Sequence, residues 1–312
     1  MLHYKLYTYG KDLTKMGLFN GYLKEGPGVS KNQKEKHRFF LFFELFGRKF
    51  SKLIFLNILY VAMLIPLIIG LFSSLMINPQ LFGEEGINIA ILTTQPIIQF
   101  SGNIPGMIIF ALSLFLAGPA TAGFTYVIRN FQREEHAWVL SDFFEHFRKN
   151  FKQATAMAFL DAIVYFLLYV ALVFYTFMLK DVNPGMEKLT PVLIAAVCVI
   201  AIIYTWMHFY IHTMMVTFDL KLKDILRNSM LFAIGKLPLN LLVTIICAAV
   251  VLASIYYIFI GAILAVIITV SLVGFIIVFS VYPTIDNYLI TPAMANVETD
   301  ETETTFSDEI TE

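Results

Sequence analysis

From Leu239 to Tyr282 the chain runs for about 44 residues without a charged side chain. A bilayer's hydrocarbon core, about 30 Å thick, is crossed by about 20 apolar residues in a helix. One helix of that whole run would be about 65 Å long, so two spans are expected, 239–257 and 262–282, with a break near Gly261. The same criterion finds four more, at 53–72, 107–128, 155–178 and 191–218. Hydrophobic residues make up 58% of the chain and charged residues 14%, against about 45–50% and 25% in soluble domains. The expected fold is an all-α integral membrane protein with six transmembrane helices. A basic arm (1–36) precedes the membrane domain (37–292), and a disordered acidic tail (293–312) follows it.

Lysine and arginine placement gives the orientation, because basic residues accumulate in cytoplasmic segments. Residues 1–52 carry eleven, the 129–154 linker five and the 219–238 linker four, which is twenty of the twenty-two. Six spans with both termini cytoplasmic fit this distribution. The two charged ends, +7 over residues 1–52 and −7 over 297–312, read as solvated segments, the basic one suited to anionic lipid. No apolar stretch lies near Met1, so no cleaved signal peptide is expected. Cys198 and Cys247 both sit in apolar runs, which suggests thiols buried in lipid or in a helix bundle rather than a disulfide framework.

The linkers are themselves patterned. In "SDFFEHFRKNF", Phe143, Phe144, Phe147 and Phe151 fall on one face of a helix, with Asp142, Glu145, Arg148 and Lys149 around the rest. Ser141 is the expected N-cap. An aromatic face with basic flanks describes a helix lying in the membrane interface or docking a partner, and the ionisable groups are expected to point into water. "HRFFLFFELFGRKFSK" (37–52) reads as a second interfacial helix ahead of the first span. Asp219–Asn240 reads as a third, with Leu222, Ile225, Leu226, Met230 and Ile234 as its stripe. Span, amphipathic helix, span thus occurs twice, with Asp142 and Asp224 in similar places, which suggests an internal repeat.

Several pieces together resemble the YesL-like family of bacterial membrane proteins, domain of unknown function family 624. They are "GPGV" (26–29) ahead of "RFFLFFELFGRKFSKLIFLN", "GPATAGFTYVIRNF" (118–131) and above all "DFFEHFRKNFKQA" (142–154). The resemblance extends over about residues 18 to 290. It implies a multi-pass protein of the bacterial cytoplasmic membrane, often encoded near ATP-driven carbohydrate importers. Importer subunits or a sensor kinase are the partners implied beside the bilayer. The family supplies no catalytic residues to carry over.

Ionisable residues within a span are functional candidates because lipid penalises them. Asp161 lies in the third span, and His208 and His212 share one face of the fourth. Antiparallel packing would bring all three to one depth, so Asp161 is expected to pair with His208 or His212. Such a pair serves either helix packing or a proton-linked or substrate site. Histidines at i and i+4 can also chelate zinc. That needs further ligands, and Phe209 stands where helix-borne zinc proteases place a glutamate, so no metal and no cofactor are expected. Asn57, Thr121 and Thr125 read as helix–helix contacts, and Trp206 with Tyr210 as an interfacial belt. No P-loop, dinucleotide-binding glycine pattern or nucleophile elbow is present, and the basic arm is better explained by lipid than by nucleic acid. A non-enzymatic protein is expected. It is either an accessory or regulatory component of carbohydrate uptake by an ATP-driven importer, or a transporter or permease subunit using the Asp161–His208–His212 site.

Overall fold

The computed structural model describes residues 37–76, 82–83, 86–87, 104–179, 184–186, 188–255 and 258–292. The expected basic arm (1–36) and acidic tail (293–312), and most of the segment 73–106 between the first two spans, lie outside them. Nine α-helices are described: α1 (Arg38–Met76), α2 (Ile104–Gln132), α3 (Val139–Lys149), α4 (Phe151–Val173), α5 (Thr190–Met215), α6 (Leu222–Gly235), α7 (Leu237–Ile255), α8 (Ile258–Leu264) and α9 (Val270–Ile285). π-helical turns extend α4 through Met178, join α8 to α9 at Ala265–Thr269, and extend α9 through Ile290. Among the described residues the only strand pairing is the two-residue ladder Phe82–Gly83 with Gly86–Ile87.

Six helical stretches are long and apolar enough to span a membrane: Arg38–Leu71, Pro105–Gln132, Phe151–Thr176, Thr190–Met215, Leu237–Ser254 and Ile260–Ile290. The chain is an all-α, multi-pass membrane protein. Leu167, Val192, Leu252 and Ile263 are among the side chains that face outward, a surface that suits lipid and not water. Polar side chains such as Asn57, Ser229, Asn240 and Ser271 are buried instead.

Three boundaries differ from expectation. The expected interfacial helix 37–52 is not separate, because α1 is one 39-residue helix; nothing in "FGRKFSKLIF" except Gly47 disfavours helix, so the apolar span continues the aromatic one. Gly261, where the break between the last two spans is expected, sits inside α8; a glycine is tolerated in a helix packed within a membrane protein. The fourth span ends at Met215, short of Phe218.

Contacts divide the chain into two units, Met1–Phe43 and Glu44–Glu312. In the first, Phe39 and Phe43 pack edge to face at 5.0 Å. In the second, α2 is the hub and packs on α3, α4, α5 and α9. Two glycines allow this closeness. A Cβ on Gly118 would strike the Ala154 carbonyl of α4, and one on Gly123 would strike the Phe143 carbonyl of α3. Small residues let membrane helices approach to backbone contact.

The amphipathic helices turn differently from the sequence expectation. In α3, Phe143 and His146 are buried, while Phe144 and Phe147 are half-buried and Phe151, the first residue of α4, is exposed. His146 therefore does not point into water: three residues after Phe143, it shares the inner face. The α3 N-terminus is three residues earlier than expected, and Asp142 rather than Ser141 serves it, with Oδ2 accepting from the Trp138 N–H at 3.0 Å. In α6 the buried stripe is Ile225, Ser229 and Ala233, whereas Met230 and Ile234 are exposed. Asp142 and Asp224 both fall in the first turn of their helices.

Candidate functional site

The α2–α3–α4 and α5–α6–α7 segments meet at one end of the bundle. Arg129, near the end of α2, donates from Nη1 to the Val216 carbonyl at 2.8 Å and to Thr217 Oγ1 at 3.3 Å. Gln153, at the start of α4, donates to the Leu220 carbonyl at 2.7 Å. The first of these bonds satisfies a carbonyl that the end of α5 leaves open, and the Gln153 bond holds the backbone just ahead of α6. They also set α4 beside α5 in the antiparallel sense that the candidate site requires.

Asp161 lies ten residues into α4, about 15 Å from its start. Placing an aspartate within the apolar core costs about 3 kcal/mol on an insertion scale, so its surroundings matter. Tyr204 donates its hydroxyl to Asp161 Oδ1 at 2.6 Å. His208 Nε2 is 3.0 Å from the same oxygen. It makes no hydrogen bond there, whereas the Tyr204 hydroxyl does. His212 follows one turn on, its ring 5.9 Å from that of His208. One ligand atom from each of Asp161, His208 and His212 lies within 4.8 Å of the others. Tyr165 closes the side, with its ring 5.4 Å from Tyr204 and 6.1 Å from His208.

The three residues expected to share a depth are therefore brought together, and Asp161 pairs with His208 rather than with His212. Tyr204 was missed. Its signal was the i, i+4, i+8 spacing Tyr204, His208, His212 on one face of α5. Tyr210 is not in an interfacial belt: it is fully buried and donates to Asn240 Oδ1 at 2.7 Å. Trp206 donates to Thr244 Oγ1 at 2.8 Å, a contact between α5 and α7. Thr121 does join helices, through the Tyr60 hydroxyl at 2.8 Å. Thr125 bonds back to the Thr121 carbonyl in its own helix.

Two cavities flank the site. One of about 740 Å³ is bordered by α1, α2 and α4 and reaches Asp161 and His212. A smaller one of about 190 Å³ reaches His208 and His212 from the α9 side. The Tyr60 and Thr121 side chains line both. Asp161 and the histidines thus stand where a small solute or ion within the bundle would meet polar groups. Phe143, Phe144 and Phe147 of α3 and Phe151 of α4 do not join them.

His146 is a second buried group, at the bundle end. Its ring stacks on Tyr126 at 3.3 Å between centroids, and its Nδ1 is buried without a hydrogen-bond partner. Burial, then the charges of Lys149 and Arg129, lower its pKa to about 4, so it is neutral at physiological pH.

The family described as "Protein of unknown function, DUF624" matches residues 87–172. The match takes in α2, α3 and most of α4, which contain "GPATAGFTYVIRNF", "DFFEHFRKNFKQA" and Asp161. This match, over less than half of the chain, is consistent with the resemblance to the YesL-like family. His208 and His212 lie beyond the matched segment. No curated protein and no solved structure matches the chain.

Proposed function

We propose that the protein is a non-enzymatic, multi-pass protein of the bacterial cytoplasmic membrane, with both termini cytoplasmic, that binds and passes a small solute or ion at Asp161, His208 and His212. The observation that carries this reading is the convergence of Asp161, Tyr204 and His208 within 3.0 Å, with His212 one turn away, beside the 740 Å³ cavity. An isolated packing contact would need one donor for Asp161, and Tyr204 already supplies it. Two further titratable rings at the same depth fit a site that exchanges charge. The test uses proteoliposomes holding a pH dye, challenged in turn with sugars, inorganic ions and divalent cations. The expected result is a solute-dependent pH change or current that Asp161→Asn abolishes at unchanged protein level. Silence across the panel, or a signal indifferent to Asp161→Asn, overturns the reading.

A second reading is an accessory or regulatory role in carbohydrate uptake by an ATP-driven importer, with importer subunits or a sensor kinase as partners. What favours it is the outward face at α3, where Trp138, Leu140 and Phe144 border an open groove with Phe55. On this reading, purification in mild detergent brings down stoichiometric importer subunits, and the double change Phe144→Ala, Phe147→Ala releases them without unfolding the protein. A chain that purifies alone counts against it.

A further inference from the structure

We infer that Asp161, His208 and His212 form a binding site for one divalent transition-metal ion of the zinc class. This names the ligand chemistry of the site proposed above and rests on that reading for the site's role.

Two imidazoles and one carboxylate suit zinc, cobalt or ferrous iron and discriminate against calcium and magnesium, which prefer all-oxygen shells. The three ligand atoms lie within 4.8 Å of one another. Bonds of about 2.1 Å in a tetrahedral shell would set them about 3.4 Å apart, a closure that side-chain rotation can supply without moving a helix. All three side chains stand on spanning helices, α4 and α5, rather than on loops.

Two observations separate a metal site from a packing contact. The first is His212. A pair fixing α4 to α5 is complete with Asp161 and Tyr204, or with Asp161 and His208, and leaves His212 idle. Yet His212 faces the same point, and its Nδ1 is buried with no hydrogen-bond partner, while His208 Nε2 stands 3.0 Å from Asp161 Oδ1 without a hydrogen bond to it. A polar atom without a partner is expensive in a membrane interior. A cation bound between the rings would answer that cost.

The second is the surroundings. Tyr204 holds Asp161 Oδ1 from outside, as an outer partner orients a ligating carboxylate. Among the described residues no fourth protein ligand fills the space beyond the three. It opens to cavities lined by Tyr60 and Thr121, whose hydroxyls are 2.8 Å apart. Three protein ligands with a fourth position left to water or solute describe an exchanging site rather than a closed structural one.

The experiment uses the full chain in mild detergent, purified on a histidine-free tag, stripped with chelator and titrated with Co²⁺. One equivalent per chain should bind, with visible absorption bands of a four- or five-coordinate ion that Zn²⁺ bleaches. Asp161→Asn, His208→Gln and His212→Gln should each weaken binding at least tenfold, while His136→Gln at an exposed position leaves it unchanged. Should a site variant fail to fold, X-ray absorption of the zinc-loaded unmodified protein decides: two imidazoles with oxygen support the site, and sulfur in the shell overturns it. No saturable binding by the unmodified chain, or equal affinity in all three folded variants, also overturns it. Metal bound without any proteoliposome flux sinks the transport reading alone. Flux that requires Asp161 in a chain that binds no metal sinks the metal site alone.

Discussion

Asn57 makes three hydrogen bonds to backbone more than 200 residues away in sequence. Its Nδ2 donates to the carbonyls of Ala265 at 2.8 Å and Val266 at 2.7 Å, and its Oδ1 accepts the Ser271 N–H at 2.7 Å. The π-helical turn at Ala265–Thr269 breaks the regular ladder and leaves these groups to be satisfied from outside. That Asn57 joins helices was legible, because a lone amide in an apolar span must find a partner. Its partner was not, because no residue type marks a π-turn. Asn57→Leu should lower unfolding free energy by about 3 kcal/mol, as unsatisfied buried groups cost about 1–3 kcal/mol each, and a denaturant titration in detergent micelles reads it. His146 gives a pH prediction. Its pKa is about 4 in the folded protein, against about 6.5 in an unfolded chain. As pH falls through 6.5 the unfolded chain takes up a proton that the folded protein refuses until about 4. The stability that depends on neutral His146 is therefore complete above pH 6.5 and is lost between 6.5 and 4. Melting temperature should drop more steeply from pH 7.5 to 5.0 in the unmodified protein than in His146→Gln.

Among the elements, α2 shows why equal substitutions have unequal effects. A side chain at Gly118 has no room against α4, nor one at Gly123 against α3, whereas a Cβ on Gly47 in α1 meets nothing within 4 Å. Gly118→Ala should destabilise by about 1–3 kcal/mol through overpacking and loosen the α2–α4 contact on the wall of the larger cavity. Gly47→Ala should instead stabilise by about 0.5–1 kcal/mol, because alanine loses less backbone entropy in a helix. Thermal unfolding of the two variants side by side should give shifts of opposite sign. The spans were legible because an uncharged stretch of 20 residues has few fates. Their ends were not: α1 runs unbroken from aromatic to aliphatic residues, through Arg48, Lys49 and Lys52 at the join, because these residues are as compatible with helix as their neighbours. The inward face of α3 was only half legible. Phe143 defines it, but a histidine between Glu145 and Phe147 reads as polar until Tyr126 is seen beneath it.

At the scale of the molecule, the candidate site was legible as far as Asp161 and the two histidines, whose charge is anomalous in a span. Tyr204 was not, since tyrosines are common in apolar helices and only the partner on α4 singles this one out. Orientation is the property that charge placement determines most directly. α3 and α6 each join the end of one span to the start of the next, and Arg129 and Gln153 tie both segments to the same end of the bundle. That end carries Lys149, Lys152, Lys221, Lys223 and Arg227, whereas Lys188 lies across the span, between α4 and α5. If basic residues are retained on the cytoplasmic face, position 149 faces the cytoplasm and position 188 faces outward. The measurement uses Lys149→Cys and Lys188→Cys, each in a chain whose Cys198 and Cys247 are serine. Right-side-out vesicles are treated with a membrane-impermeant maleimide. Lys188→Cys should label in intact vesicles and Lys149→Cys only after permeabilisation. The reverse pattern would place α3 and α6 outside the cell, where no ATP-driven motor could reach them. The importer reading would then fail, while a solute or ion site at Asp161, buried between the two faces, would stand.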